Sequence, residues 1–307
     1  MCVLKVHSSA NDVESLPASR RPFPVLSEPQ AMTSMQSLST PLATGISLSP
    51  LHPAFGAEVL NLDLAAPLPA PVLEVLHDAL TEHGVLLLRG QSGLPAALAL
   101  GLASLEAPLL GQALHQAAPV LPLSVGAPAD LPPPDRADRP FWHADRSYAA
   151  QPALACLMRA EAPAGEIAFA DQRRAWASLP PALRDRLGQF RAVHASPLDP
   201  AARTEHPLVR RHPVTGEPVL YANPAFTSRI LNLPEAESGR LLQALFAAAT
   251  AEALTWRHQW QAGDVLIWDN RSLLHTASAG PGLEALRIGG DQPTGAAALE
   301  MPWVMAG

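Results

Sequence analysis

The stretch Phe141-Trp142-His143-Ala144-Asp145-Arg146-Ser147-Tyr148 constrains this chain most, because it sets an imidazole and a carboxylate two residues apart in a segment with strand-like flanks. In an extended strand, residues i and i+2 point to one face. His143 and Asp145 can therefore approach one metal ion together, and one further imidazole completes a 2-His-1-carboxylate triad. The candidate for that imidazole lies far downstream. The run Gly263-Asp264-Val265-Leu266-Ile267-Trp268-Asp269-Asn270-Arg271-Ser272-Leu273-Leu274-His275 reads as an apolar, β-rich strand that leaves a turn and ends on a histidine. Arg287 follows within the next strand's reach, where a basic side chain could hold an anionic cosubstrate.

Taken alone, an H-x-D triplet is an ordinary pair of hydrogen-bonding neighbours, and Arg287 is a solvated arginine at a strand end. The order of Trp-His-x-Asp-x-Ser-Tyr, Trp-Asp-Asn-Arg-x-x-x-His and a following arginine changes that reading. In these residues the chain resembles the taurine dioxygenase (TauD/TfdA) family of Fe(II)- and 2-oxoglutarate-dependent dioxygenases, over roughly Ile46 to Gly295.

The resemblance implies a mainly β fold with flanking helices, a double-stranded β-helix or jelly-roll barrel with an open mouth. It implies Fe(II), 2-oxoglutarate and O2 as cofactor and cosubstrates, with His143, Asp145 and His275 as metal ligands and Arg287 on the distal carboxylate of 2-oxoglutarate. The implied reaction hydroxylates an unactivated C–H bond of a small molecule and releases succinate and CO2. Two departures stand out. The family carries a second basic position four residues after its 2-oxoglutarate arginine, but here that count reaches Asp291 inside a family-like Gly290-Asp291-Gln292-Pro293, so Arg287 aligns with either arginine. The family's Gly-Asp-Thr matches Gly165-Glu166-Ile167, and Ile167 cannot donate the threonine's hydrogen bond.

Those departures keep a non-catalytic or catalytically altered metal-binding barrel as an alternative, while a zinc hydrolase on the same ligands lacks an H-E-x-x-H or similar motif. They also bear on substrate. With one arginine for two tasks and Asp291 available to an amine, a neutral or cationic substrate is expected, with Arg139, Arg146 and Arg271 the other basic groups near the ligands in sequence.

A chain of 307 residues, 48% hydrophobic and 16% charged, can bury a large core within one β-rich domain. The net charge of −7 argues against a nucleic-acid partner, which requires a basic face. Apolar runs such as Val85-Leu86-Leu87-Leu88 fall far short of the roughly 20 residues that cross a bilayer. Cys2 and Cys156 form no metal or disulfide pattern, which suits a reducing cytoplasm. A homo-oligomer is left open.

Along the chain, residues 1–43 lack periodicity and are expected to be a disordered tail, with Met32 and Met35 as alternative starts; residues 44–307 are expected to form a single catalytic domain. Short strands at 46–51, 55–59 and 85–88 frame a helix opened by Pro71 and closed by His83-Gly84. A second helix over Leu94–Leu105 precedes a Pro-rich loop from Ala127 to Pro140. Strands at 153–159 and 167–171, a helix from Ser178 to about Phe190, a hairpin turning at Pro213-Val214-Thr215-Gly216, a helix from Leu233 to about Thr250 and a strand from Thr255 complete the pattern. Tyr221, Asn223 and Phe226 are candidates for the substrate mouth, His115 borders the expected pocket, and the remaining histidines read as surface or satisfied core residues.

Overall fold

The computed structural model describes residues 40–41, 45–109, 120–123, 141–199, 201–276 and 282–295. Almost all of the expected tail, the Pro-rich loop and His115 lie outside these residues. Within the expected tail, Thr40–Pro41 form a short strand, β1, that pairs antiparallel with β2 (Ser47–Pro50).

From β2 the chain continues through β3 (Ala57–Leu60), α1 (Ala70–His83), β4 (Val85–Leu88), α2 (Ala96–Leu109) and β5 (Val120–Leu123). After the segment carrying the ligand candidates His143 and Asp145 come β6 (Ala153–Ala160), β7 (Glu166–Asp171), α3 (Gln172–Ser178) and α4 (Pro181–Leu187). Strands β8 (Arg191–Ala195), β9 (Arg203–Pro207), β10 (Val209–Arg211), β11 (Pro218–Leu220) and β12 (Thr227–Ile230) precede α5 (Glu235–Ala249). The chain closes with β13 (Thr255–Gln259), β14 (Val265–Asp269), β15 (Leu273–His275) and β16 (Leu283–Gly289).

Eight strands make one sheet in the order β1-β2-β3-β4-β14-β6-β16-β5, and β13-β7-β15 make a second. The two-residue period of strands explains how the large sheet buries both faces. Leu86, Leu88, Leu157, Val265 and Ile267 point to one face, where Leu76 and Leu80 of α1 and Leu98 and Leu102 of α2 cover them. Their neighbours Val85, Leu87, Cys156, Met158, Leu266 and Trp268 point to the other, against Ile167 and Phe169 of β7 and Leu273 of β15. Two facing sheets with helices outside are the double-stranded β-helix expected from the sequence, and the metal-ligand candidates lie between the sheets.

The expected helices form with two differences. The helix expected from Ser178 to Phe190 forms only over Pro181–Leu187, and Ser178 instead ends an additional helix, α3. The Asp171 carboxylate caps α3, accepting from the backbone N–H groups of Arg173 at 2.8 Å and Arg174 at 3.3 Å. The hairpin turn expected at 213–216 is present, with Gly216 at φ 73°, the left-handed region glycine enters freely. Gly290 is required for another reason: a Cβ there would lie 2.5 Å from the Pro152 carbonyl oxygen.

Candidate metal centre

His275 ends β15, and β15 pairs with β7. His143 adds a single residue to the other side of β15: its N–H donates to the His275 carbonyl and the His275 N–H donates back, each at 2.9 Å. The strand expected through residue 145 stops at this one bridge. The chain then turns, with Ser147 N–H on the Ala144 carbonyl, Ala149 N–H on the Arg146 carbonyl, and Arg146 at φ 53°. Buried polar side chains hold that turn: the Ser147 hydroxyl lies 3.0 Å from Asn223 Nδ2, which donates to it, and 3.1 Å from His194 Nδ1. Asp145 therefore reaches the histidines from a pinned turn rather than by strand alternation.

The three side chains converge. Asp145 Oδ1 lies 3.7 Å from His143 Nε2, and Asp145 Oδ2 lies 3.7 Å from His275 Nε2. One ligand atom from each residue falls within 4.8 Å of the others. All three residues are buried. The Phe141 carbonyl accepts a hydrogen bond from His143 Nδ1 at 3.1 Å, which leaves the Nε2 lone pair facing the carboxylate. Burial lowers the pKa of His143, and burial with the neighbouring His143 lowers His275 to about 3, so both imidazoles are neutral and able to ligate. Burial alone would raise the Asp145 pKa, but His275, Arg287 and His143 more than offset it and keep the group a carboxylate. Two neutral imidazoles and one buried carboxylate on a common space are the donor set that Fe(II) takes in a facial triad.

Three more side chains meet Asp145. Cys156 Sγ donates to Oδ2 at 2.8 Å, Asn270 Nδ2 approaches the same oxygen at 3.4 Å, and Arg287 lies 3.4 Å from Oδ1. Arg287 is thus brought beside the three candidate ligands. Its strand position is opposite Cys156. Ile167 is buried between the sheets, where it packs and donates nothing.

The expectation for Asp291 is corrected. Its carboxylate accepts both contacts of Arg210 Nη2, at 2.9 and 2.8 Å, and Arg210 is itself 1% exposed over the Tyr221 ring. The Asp291 charge is thus compensated within the protein. Arg271 is committed as well, to Glu106 at 2.8 Å and Asp269 at 2.7 Å, all three buried. Arg146 is exposed, and Arg139 lies outside the described residues. Of the three candidates for the mouth, Phe226 stands edge-on to His143 at 6.1 Å, while Asn223 serves the turn and Tyr221 stacks on His194. Phe141, 5.5 Å from the His143 ring, was not singled out from the sequence. His77, His206, His212 and His258 are satisfied core residues, on Glu106, the Ala149 carbonyl, Asp269 and Asp264.

The model of the "Taurine catabolism dioxygenase TauD, TfdA family" matches residues 47–287. The alpha-ketoglutarate-dependent sulfate ester dioxygenase of Pseudomonas putida is 31% identical over 275 residues, covering 80% of this chain and 88% of that protein. An alkylsulfatase of Acinetobacter baylyi is 29% identical over 289 residues, covering 83% and 88%. A crystal structure described as a putative alpha-ketoglutarate-dependent taurine dioxygenase from Burkholderia xenovorans superposes with a TM-score of 0.66 at 28% identity, covering 81% of this chain and 91% of its own. The matched span contains the buried His143–Asp145–His275 cluster and Arg287, and the chain belongs to the TauD/TfdA family of Fe(II)- and 2-oxoglutarate-dependent dioxygenases.

Proposed function

We propose that His143, Asp145 and His275 bind the Fe(II), that Arg287 holds the distal carboxylate of 2-oxoglutarate, and that residues 44–307 form a single catalytic domain hydroxylating a small molecule. The observation that carries this reading is the meeting of three ligand atoms, two from histidines 132 positions apart in sequence, within 4.8 Å in a buried space. Iron with bound 2-oxoglutarate supplies the O2-dependent oxidation, with succinate and CO2 as the products of the cosubstrate.

The protein's own part is placement and exclusion of water. Neutral imidazoles and a deprotonated carboxylate are ready to ligate without first losing protons. The Arg287 guanidinium, 11% exposed in its side chain, offers a strong counter-charge to a dicarboxylate because little water competes with it. Phe141 and Phe226 supply apolar surface beside His143 and stand edge-to-face at 6.1 Å. The relatives named for sulfate esters make alkyl sulfates, which are anionic and so run against the neutral or cationic substrate expected from the sequence, the first substrates to test. We place the protein in the cytoplasm, in keeping with its free, buried Cys156.

Anaerobic addition of Fe(II) and then 2-oxoglutarate to the metal-free protein tests the reading. The expected result is a weak visible charge-transfer band that His143→Ala abolishes. With O2, succinate should form faster in the presence of a substrate alkyl sulfate. Intact protein that gives no band, or a band unaffected by His143→Ala, would overturn the assignment.

A further inference from the structure

We propose that Cys156 and Asn270 are positioning residues for Asp145: together they engage Oδ2 of its carboxylate and so fix how that carboxylate is presented to the metal. This rests on the metal-centre reading above and deepens it.

The geometry begins with register. Cys156 on β6 lies directly between Trp268 on β14 and Arg287 on β16, so the three stand in one row on the face between the sheets. Most of that face is apolar, and a residue there with no task beyond filling space needs no donor. Cys156 Sγ instead lies 2.8 Å from Asp145 Oδ2. At this distance from a carboxylate oxygen the thiol S–H is the donor of the pair, since the carboxylate can only accept.

Asn270 completes the grip, and its orientation follows from its neighbours. The Trp268 indole N–H can only donate, so the amide atom 3.2 Å from it is the oxygen. The same oxygen faces the Asp145 backbone N–H at 3.4 Å. The amide NH2 must then point the other way, and Nδ2 lies 3.4 Å from Asp145 Oδ2 and 3.3 Å from Cys156 Sγ. Oδ2 thus meets two donors, one held by β6 and one by the turn between β14 and β15, and lies 3.7 Å from His275 Nε2, while Oδ1 lies 3.7 Å from His143 Nε2 and 3.4 Å from Arg287. Outer partners of this kind orient a ligating carboxylate, and their loss typically costs 10–100-fold in metal affinity.

Titration of the full-length metal-free protein with Co(II), read by its visible ligand-field bands, tests the proposal. Cys156→Ala and Asn270→Ala should each weaken Co(II) binding about tenfold or more and shift the bands. Cys156→Ser, which restores a donor, should bind within about threefold of the unchanged protein. Cys156→Val fills the space without donating and should match Cys156→Ala; it also replaces Cys156→Ala should that variant not fold. Unchanged affinity and bands in the Ala or Val variants would overturn the proposal, and so would a Ser variant as weak as Val. His143→Ala serves as the control: wild-type Co(II) binding there would mean that the metal-centre reading itself had failed.

Discussion

The backbones of His143 and His275 hydrogen-bond each other in both directions at 2.9 Å, and their rings stand 4.2 Å apart on the same side of that bridge. The link that brings the two imidazoles together is therefore made by main-chain groups. Truncating either ring leaves the link in place.

From this we expect His143→Ala, Asp145→Ala and His275→Ala to fold, with thermal midpoints within several degrees of the parent in the metal-free state. Each should lose Fe(II) binding by more than tenfold, because outer partners alone are worth that much and a direct ligand is worth more. Metal titration with parallel thermal melts checks both halves. A variant that keeps parental Fe(II) affinity removes its residue from the ligand set.

Arg287 faces a different demand. Its guanidinium lies against Asp145 in a site with little water, where a hydrogen bond to a charged group contributes about 1.5–3 kcal/mol. Arg287→Ala should raise the 2-oxoglutarate KM by roughly tenfold or more. Arg287→Lys should recover only part of this, because an ammonium lacks the planar fork. Steady-state kinetics with 2-oxoglutarate varied gives the answer; an unchanged KM would assign the cosubstrate carboxylate to another cation.

What was legible in the sequence was the part written in local spacing. Strand periodicity gave β4 and β14, proline and glycine marked α1 and the 213–216 turn, and the ordered motifs gave the three ligand candidates. What was hidden depended on partners distant in the chain. Asp291 read as a free carboxylate because Arg210 is 81 positions away, and Arg271 as a spare cation because Glu106 is 165 positions away. Cys156 gave only a statement about redox compartment, since its row with Trp268 and Arg287 exists only once three strands are in register. The additional helix α3 did leave a local signal: Asp171 ahead of Gln172-Arg173-Arg174 is a helix-capping arrangement.

The hidden network around Arg271 carries its own consequence. Its guanidinium lies between Glu106 of α2 and Asp269 at the end of β14; His77 of α1 adds to Glu106 at 3.1 Å, and His212 adds to Asp269 at 3.0 Å. Arg271→Leu would leave two buried carboxylates without their main counter-charge. Removing one partner of a buried ion pair costs about 3–5 kcal/mol, and we expect a loss of that size in urea unfolding. A loss under about 1 kcal/mol, the range of exposed pairs, would show that water reaches these groups.

The last expectation concerns pH and the buried histidines behind the Asp145 turn. Burial, with the nearby His206, lowers His194 to about 3, and burial chiefly lowers His206 to about 4, against 6.5 for a free imidazole. In the folded protein both are neutral near pH 5, whereas in the unfolded chain both take up protons below about pH 6.5. Unfolding then binds protons, so stability is fully present above about pH 6.5 and is lost as pH falls toward 4. His143 and His275 add to the trend in the metal-free protein, so the contribution of one residue is isolated by comparing variants. His206→Gln, which can still donate to the Ala149 carbonyl that His206 Nε2 contacts at 2.9 Å, removes one titrating group. Between pH 6 and pH 5 the parent should lose about 1 kcal/mol more than this variant, close to the limit of about 1.4 kcal/mol per pH unit for one proton. Urea unfolding of the two proteins at both pH values measures the difference, and parallel slopes would mean that His206 is protonated in the folded state.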